Sequence, residues 1–256
     1  MKSGGSKMKS KVTSIDEALS VVKDGTSLMI GGFIDAGSPI KCIEKLAEKG
    51  TKNLTLISST SGMDGFGTSI LYKNKQVKEL ISSHVGTSNE STEEYLAGNL
   101  LIKEFFPMGT WMEKVRAGAM GLGGILVPVG VGILDEPGLF KNLDEPKKVI
   151  NVNGLDCFIE PALTADVSIV RAWRADEFGN LEFRGTSMND NADLAMAGKF
   201  TIAEVNEIVP FGSISPERVG CSGVFVNAVV QGYTVEEQDE IYREAWVKKG
   251  KLSKED

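Results

Sequence analysis

A glycine-rich turn at residues 31–37 constrains the fold of this chain more than any other stretch. The run before it, residues 26–30, is mostly apolar or β-branched and predicts a short buried strand. After it, Ser38 and Pro39 suit the N-cap and the first position of a helix. A strand, a glycine-rich turn and a helix in this order are typical of an α/β fold. The helix start would also offer N–H groups to a phosphate or a carboxylate.

The same turn has an interpretation that involves no ligand. Gly31, Gly32 and Gly37 would let any tight connection between a strand and a helix bend sharply. The stretch matches neither the P-loop pattern nor the G-x-G-x-x-G pattern of dinucleotide sites. It therefore indicates either a structural turn or an anion site whose ligand is unidentified.

The composition limits both the architecture and the partners. With 256 residues, 41% of them hydrophobic, the chain can build one large core or at most two small ones. A formal net charge of −7 argues against nucleic-acid binding, which needs a basic surface. No apolar run approaches the ~18–20 residues of a membrane span. The polar, basic start lacks the apolar region of a secretory signal, so we expect a cytoplasmic protein, with residues 1–7 a candidate addition before a native start at Met8.

The cysteines and the single histidine restrict the chemistry further. Cys42, Cys157 and Cys221 lie far apart and form no C-x-x-C pair, so we expect reduced thiols and neither a metal site nor a disulfide framework. His84 alone would have to serve any Ser-His-Asp or Cys-His device. Its place at the end of a predicted strand, residues 77–85, favours a packing or surface role.

Strand and helix patterns alternate along the rest of the chain. Residues 54–57 predict a second, all-apolar strand, as in a sheet covered on both faces, and the hydroxyl-rich residues 58–62 follow it. Open α/β sheets bind ligands at the carboxyl ends of their strands, although a solvated turn has the same composition. Further strands are predicted at residues 77–85, 102–106, 149–152, 155–159, 166–172, 171–175, 180–184 and 201–205, and helices at 14–22, 39–50, 92–98, 111–117 and 192–198.

These patterns predict one open, mostly parallel sheet with helices on both faces. We divide the chain into a flexible extension at residues 1–11, one domain at 12–233 and a charged helical tail at 234–256 that lies outside the core and is a candidate contact for a partner. The glycine-rich segment 118–132 predicts either a packed core passage or a mobile loop. Residues 135–148, charged and interrupted by proline, predict an exposed insertion.

Short motifs in a fixed order carry a resemblance to a known family. They are Gly31-Gly32-Phe33 with Gly37-x-Pro39, Gly109-Thr110 with residues 113–118, Gly130-Val131-Gly132, Thr164-Ala165-Asp166-Val167, Arg171-Ala172-Trp173-x-Ala175-Asp176 with Gly179-Asn180, residues 195–199, and Gly223-Val224-Phe225-Val226. No single motif is specific, but the ordered set, over about residues 12–233, resembles the α subunit of the two-subunit family I coenzyme A transferases. That group includes the acetate/butyrate–acetoacetate and 3-oxoacid enzymes.

The resemblance implies the open α/β fold shared with sugar-phosphate isomerases and a β subunit of related fold, commonly in an α2β2 assembly. In this family a glutamate of the β subunit attacks the acyl-CoA thioester, forms a thioester with CoA and then passes CoA to an acceptor acid. The Ser-Glu-Asn-Gly setting of that glutamate has no counterpart in this sequence. Glu113, Glu160 and Glu177 also lie outside any such motif, and we interpret Glu113 as a helix-surface ion-pair residue and Glu177 as part of a hairpin turn. The resemblance thus implies no catalytic residue on this chain, no metal and no tightly bound cofactor, with CoA as a co-substrate.

The resemblance also assigns two candidate sites to positions of this sequence. The segment that corresponds to CoA binding is Gly31, Gly32, Phe33, Ile34, Asp35, Ala36 and Gly37. The segments that correspond to the acyl pocket are Ser59, Thr60 and Gly62, and Met108, Gly109 and Thr110.

Two pocket positions depart from the family pattern. Ser59-Thr60 stands where relatives usually have an asparagine, and Met108 where they usually have glutamine. The loss of amide groups predicts a weaker preference for 3-oxoacids such as acetoacetate, and a short or medium aliphatic acid is an equal alternative. The resulting hypothesis is the α subunit of a heteromeric CoA transferase. The alternatives are a subunit of a related acyl-CoA hydrolase and a non-catalytic paralogue that binds CoA or an acid.

Overall fold

The structure, a computed structural model, describes residues 9–136 and 147–253. Its strands, in chain order, are β1 (Ser27–Ile30), β2 (Leu54–Ile57), β3 (Val77–Ser82), β4 (Leu101–Phe105), β5 (Gly124–Val127), β6 (Val149–Val152), β7 (Leu155–Pro161), β8 (Ala165–Asp176), β9 (Leu181–Glu182), β10 (Gly198–Val209) and β11 (Ala228–Gln231). Its α-helices are α1 (Ile15–Leu19), α2 (Ile40–Lys49), α3 (Ser69–Lys73), α4 (Asn89–Leu96), α5 (Met108–Ala119), α6 (Asn191–Ala197) and α7 (Val235–Lys248).

Eight of the described strands form the main sheet. Seven of them follow the order β11-β10-β8-β1-β2-β3-β4, and β9 pairs with β8 at one end. The neighbours along this order are parallel; Leu28 of β1, for example, lies opposite Leu56 of β2 on one side and Val167 of β8 on the other. Only the β8–β9 hairpin is antiparallel within this sheet. The predicted open, mostly parallel sheet is therefore confirmed.

Both faces of the sheet are buried under helices. In β1, Leu28 and Ile30 belong to one core cluster and Met29 to the other, because alternate side chains of a strand point to opposite faces. The first cluster takes side chains from α1, α2 and α3, and the second from α5 and α6. This two-sided burial is why β1 and β2 are apolar at nearly every position instead of alternating with polar residues.

A second, three-stranded antiparallel sheet has the order β5-β7-β6. Strand β5 lies inside segment 118–132, so part of that segment is regular structure that pairs with β7. Large apolar side chains of this region remain exposed: Leu126 by 50%, Val129 by 56% and Ile133 by 63%. Residues 137–146, most of the predicted insertion, lie outside the described residues.

The tail differs from its prediction. The structure packs α7 against its own chain, with the Tyr242 ring on the core and its hydroxyl donating to the backbone oxygen of Asp35. The helix ends at Lys248, well before residue 256. At the other end, the N–H of Lys11 donates to the Glu177 oxygen at 2.8 Å, so backbone pairing to the domain already includes residue 11.

The element boundaries also differ from prediction in several places. Helix α3 lies in a stretch, between residues 62 and 77, for which neither a helix nor a strand was predicted. Strand β3 ends at Ser82, and His84 follows it in an isolated bridge with Thr60. Across the part of the chain that the structure describes, no helix is both long enough and apolar enough to cross a membrane.

Candidate functional site

Three of the predicted site segments meet at the carboxyl ends of β1 to β4. The Ser59 hydroxyl after β2 donates to the Gly32 backbone oxygen at 2.8 Å. The Ser83 hydroxyl after β3 donates to the Ser59 oxygen at 2.8 Å and lies 3.0 Å from the sulfur of Met108. This chain of contacts brings the glycine-rich turn, the hydroxyl-rich turn and the start of α5 to one edge of the sheet.

Asp35 joins the first two turns. One oxygen of its carboxylate accepts from the Met63 N–H at 2.7 Å, and the other accepts from the N–H and the hydroxyl of Thr68, each at 3.0 Å. Burial raises the pKa of Asp35 to about 6, against the smaller opposing effect of these hydrogen bonds. A Cβ atom at Gly62 would lie 2.7 Å from the same carboxylate. Asp35 and Gly62 therefore shape the site from within, and the Asp35 carboxylate does not face a ligand.

The tip of the glycine-rich turn has an uncommon backbone conformation. Ile34 and Asp35 have φ angles of 50° and 60°, in the left-handed region that a β-branched residue such as Ile34 rarely adopts. The Ile34 N–H donates to the Thr60 hydroxyl at 3.0 Å, which helps to hold that conformation. Phe33, next to it, is 45% exposed. Strain of this kind is found where a turn presents groups to a ligand.

Asp190 and Asn191 were missed by the sequence analysis, although they support the glycine-rich turn. The Gly32 N–H donates to a carboxylate oxygen of Asp190 at 2.9 Å, and the side-chain amide of Asn191 donates to the Gly37 oxygen at 3.0 Å. A Cβ atom at Gly31 would lie 2.0 Å from the Asn191 side-chain oxygen. Burial raises the pKa of Asp190 to about 6. The polar run 189–191 before a small-residue helix was the available signal.

The start of α2 contradicts the predicted anion site at that helix. Ser38 makes no cap; Pro39 is the N-cap and has no side-chain hydrogen bond. Instead, the N–H groups of Lys41 and Cys42 donate to the Glu204 carboxylate at 3.3 and 2.7 Å. Glu204 is buried, which raises the pKa of its carboxyl. The helix N-terminus is thus satisfied by a carboxylate of the chain itself.

The third predicted segment, Met108 to Thr110, is the first turn of α5 and borders an apolar cavity of about 670 Å³. The cavity lies between α5 and the second sheet and is lined by Pro107, Gly109, Thr110, Glu113, Ile125, Leu126, Val127 and Val129. The buried Thr110 hydroxyl has no hydrogen-bond partner among the described residues. Because Leu126 and Val129 are half-exposed at its rim, this chain leaves the cavity open on one side.

Of the three glutamates that lie outside the family's nucleophile motif, Glu113 and Glu160 have side-chain partners. Glu113 accepts from the Arg116 guanidinium at 2.6 Å on the surface of α5. Glu160 is buried, which alone would raise its pKa, but hydrogen bonds from Lys114 at 2.7 Å and from Lys147 hold the pKa below its usual value. Glu177 lies in the turn between β8 and β9. Glu113 and Glu160 are therefore both paired with cations, and Glu177 is not among the residues that line the cavity beside α5.

Comparison with known proteins gives consistent results. Residues 12–232 match the family described as coenzyme A transferase. A probable coenzyme A transferase subunit alpha from Bacillus subtilis is 42% identical over 221 residues, which cover 86% of this chain and 93% of that protein. The acetoacetyl-CoA:acetate/butyrate CoA transferase alpha subunit of Clostridium acetobutylicum is 39% identical over 88% of this chain and 99% of its own length.

The fold is shared with a larger solved structure. The acyl-CoA transferase of Escherichia coli O157:H7, in a thioester complex with CoA, matches 87% of this chain with a TM-score of 0.79 and 24% identity. This chain spans about half of that protein, 47% of its length. At this identity the likeness shows the fold alone.

Proposed function

This chain belongs to the coenzyme A transferase family, and we propose that it is the α subunit of a heteromer that moves CoA from an acyl-CoA to a carboxylic acid. The family membership confirms the resemblance drawn from the motifs. In the proposed enzyme this chain supplies the binding surfaces, and a β subunit supplies the nucleophilic glutamate.

The observation that supports this division of roles between the two subunits is that carboxylates around the site are already hydrogen-bonded or paired with cations. Asp35 accepts three hydrogen bonds, Glu113 pairs with Arg116, and Glu160 pairs with two lysines. A carboxylate is a weak nucleophile that must be positioned and left free to attack. Because these three are engaged and the apolar cavity is open on one side, we place both the nucleophile and the missing wall on the partner.

The proposed reaction passes CoA twice: first from the acyl-CoA to the partner's glutamate, and then from that glutamate to the acceptor acid. The partner's glutamate carboxylate attacks the thioester carbonyl and releases CoA as a thiolate, leaving an acyl-glutamyl anhydride. The thiolate then attacks the glutamyl carbonyl, which forms the glutamyl-CoA thioester and releases the first acid. The same steps then run in reverse with the acceptor: its carboxylate attacks the glutamyl thioester and releases the CoA thiolate. The thiolate attacks the acceptor's carbonyl in the resulting anhydride, which forms the new acyl-CoA and frees the glutamate. No histidine base is needed, which agrees with a chain whose only histidine is His84.

This chain would contribute two things to that reaction. The strained tip of the glycine-rich turn, with Phe33 exposed, would contact CoA, and the fixed hydrogen bonds to Thr60 and Asp190 would keep it in place. The apolar cavity beside Gly109 would hold the acyl chain and exclude water once the partner covers it.

For the substrate we propose a short or medium aliphatic acid. The hydroxyls of Ser59 and Thr60 are buried in contacts between the turns, where they bond to Gly32 and Ile34. The Met108 sulfur is bonded to Ser83 and offers no amide to an oxo group. The cavity lining is mainly apolar, which favours an alkyl chain over a second oxygen function.

The direct test is to assay the chain alone, the β subunit alone and the reconstituted complex, with and without an acceptor acid. We expect thioester exchange only from the complex and only with acceptor. Loss of thioester from the complex without acceptor would identify a hydrolase and refute the transferase. CoA binding by a complex with no turnover toward any acid would identify a non-catalytic paralogue.

A further inference from the structure

A cavity of about 440 Å³ lies between α7 and the ends of β8 and β10. Its lining combines guanidinium groups, aromatic rings and amides: Ala36, Arg171, Trp173, Arg184, Gly185, Thr186, Asn206, Val235, Gln238, Asp239, Tyr242 and Trp246. Five of these residues belong to α7, which lies beyond the 12–232 range matched by the family. The cavity is therefore built in part by a segment to which the family match assigns no role.

Two guanidinium groups in this cavity have N–H groups that donate to no acceptor among the described residues. Arg171 donates one hydrogen bond, from Nη2 to the Asn206 side-chain oxygen at 2.8 Å, and its buried Nε has no acceptor among the described residues. Arg184 is exposed and forms no ion pair within the described part of the chain. Each guanidinium carries five N–H donors. The lining contains these two cations and one carboxylate, that of Asp239, while Glu204, outside the lining, is a second carboxylate that interacts with Arg171.

The aromatic side chains give the cavity flat walls. Trp173, Tyr242 and Trp246 line it, and the Arg184 guanidinium lies 5.0 Å from the centre of the Trp173 ring. Indole and phenol rings pack well against planar ligands, and arginine both stacks on rings and grips phosphate oxygens in pairs. The volume is within the range of small-molecule sites.

We infer that this cavity binds a nucleoside phosphate. The phosphate would lie between Arg171 and Arg184, and the base would pack against the Trp246 side of the cavity. A ribose hydroxyl could donate to Asp239, as acidic residues commonly accept from ribose. A multiply charged phosphate uses both guanidinium groups, whereas a single carboxylate would leave one without a partner.

A ligand in the cavity would be connected to the glycine-rich turn through hydrogen bonds of α7. The side-chain amide of Asn206, which accepts from Arg171, donates to the Gln238 oxygen of α7 at 2.7 Å. One turn further along α7, Tyr242 bonds to the backbone of Asp35, and Ala36 itself lines the cavity. A bound nucleotide would thus hold α7 against the turn that we propose contacts CoA. The nucleotide has two sources with the same chemistry, either the adenosine end of CoA or a separate adenosine phosphate.

The test is calorimetric titration of the purified full chain, alone and with its partner, using ADP, CoA, inorganic phosphate and benzoate. We expect ADP to bind, Arg184→Gln to weaken it at least tenfold and Trp246→Ala to weaken it similarly. The matched control, Arg116→Gln, removes an exposed arginine of α5 and should leave ADP binding unchanged. If CoA displaces ADP from the wild type but less so from Arg184→Gln, the source is CoA; if CoA does not displace ADP, the site takes a separate nucleotide.

Either of two results would overturn the inference. One is the absence of ADP binding at millimolar concentration, and the other is equal affinity in the wild type and in Arg184→Gln, an exposed position where the change leaves the core intact. Binding of benzoate in place of ADP would assign the cavity to aromatic acids and refute the nucleotide. Because these titrations involve no turnover, a complex that binds ADP but transfers no CoA would contradict only the proposed function.

Discussion

Asp35 and Asp190 show how buried carboxylates shape the site residue by residue. Both are 2% exposed, and each accepts from a backbone N–H of a turn at the end of a β-strand. Their raised pKa values, about 6 in each case, result from the removal of the carboxyl from water. Ionisation of either carboxyl group lowers the free energy of unfolding, so the contribution of each group to that free energy depends on pH.

The sign of that dependence follows from the folded and unfolded pKa values of Asp35. Between about pH 4 and 6 the folded state holds a proton that the unfolded state has lost, so this group's contribution to stability falls as the pH rises. Asp35→Asn removes the titration. We therefore expect the free energy of unfolding of the wild type, minus that of Asp35→Asn, to fall by roughly 2.5 kcal/mol from pH 4 to pH 7.

Urea denaturation of both proteins across that pH range would measure the difference. The comparison cancels the opposite effect of carboxyls with lowered pKa values, such as Glu160 and Asp166. A difference that stays constant or grows with pH would show that Asp35 is not a buried, destabilised carboxylate.

Met108 allows a test of the proposed substrate class. In Met108→Gln an amide would replace the sulfur that now contacts Ser83, and it would offer a donor and an acceptor to a 3-oxo group. We expect the ratio of kcat/KM for acetoacetate to that for butyrate, in the complex, to rise about tenfold or more. The matched control, Met108→Leu, should leave the ratio near that of the wild type. An unchanged ratio in Met108→Gln would remove this position from the acyl pocket.

At this scale the sequence shows which segments matter but not which atoms face the ligand. Ser59 and Thr60 were predicted to line the pocket, yet their hydroxyls bond to neighbouring turns. The predicted cap Ser38 has no such role, because Glu204, distant in the chain, takes the N–H groups of α2. Local pattern rules cannot find a partner that is 162 residues from Cys42 in the chain.

Among the secondary-structure elements, helix α5 allows a buried and an exposed ion pair to be compared, because it carries one cation of each kind. Lys114 is 1% exposed and bonds to Glu160 of β7 at 2.7 Å, with its ammonium 4.6 Å from the centre of the Phe106 ring. Arg116 is 57% exposed and pairs with Glu113 on the same helix. The buried pair joins α5 to the second sheet, whereas the exposed pair is solvated.

Removal of the buried cation should therefore be the costly change. Lys114→Met would leave Glu160 buried with only Lys147, and we expect the free energy of unfolding to fall by about 3–5 kcal/mol. Arg116→Gln, on the same helix, should cost less than about 1 kcal/mol. Chemical denaturation of the two variants at neutral pH measures both effects, and equal losses would contradict the assignment of Lys114 to a buried network.

Helices and strands were predicted well where a single apolar run or a single helical spacing of apolar residues is enough to identify the element. Strands β1 and β2 and helix α2 follow directly from their apolar patterns. The packing of α7 was not predicted, because its few apolar residues, such as Tyr242 and Trp246, do not show on which surface they lie. The pairing of β5 with β7 was missed for a similar reason, since glycine-rich segments carry no clear period.

At the scale of the whole molecule, the chain closes its core but leaves the apolar cavity beside α5 open. The two core clusters are closed by helices on both faces of the main sheet. By contrast, the apolar cavity beside α5 is open next to the exposed Leu126 and Val129. The fold class was predictable because the alternation of strands and helices is encoded locally. The open face was not, since only the assembled coordinates show which apolar side chains remain uncovered.

We propose that this chain forms the pocket while its partner carries the nucleophile. The most direct measurement is to mix the reconstituted complex with acyl-CoA, reduce any glutamyl thioester with borohydride and map both chains by mass spectrometry. We expect one reduced glutamate on the β subunit and none on this chain. A reduced glutamate on this chain, at Glu113 or Glu160 for example, would contradict it.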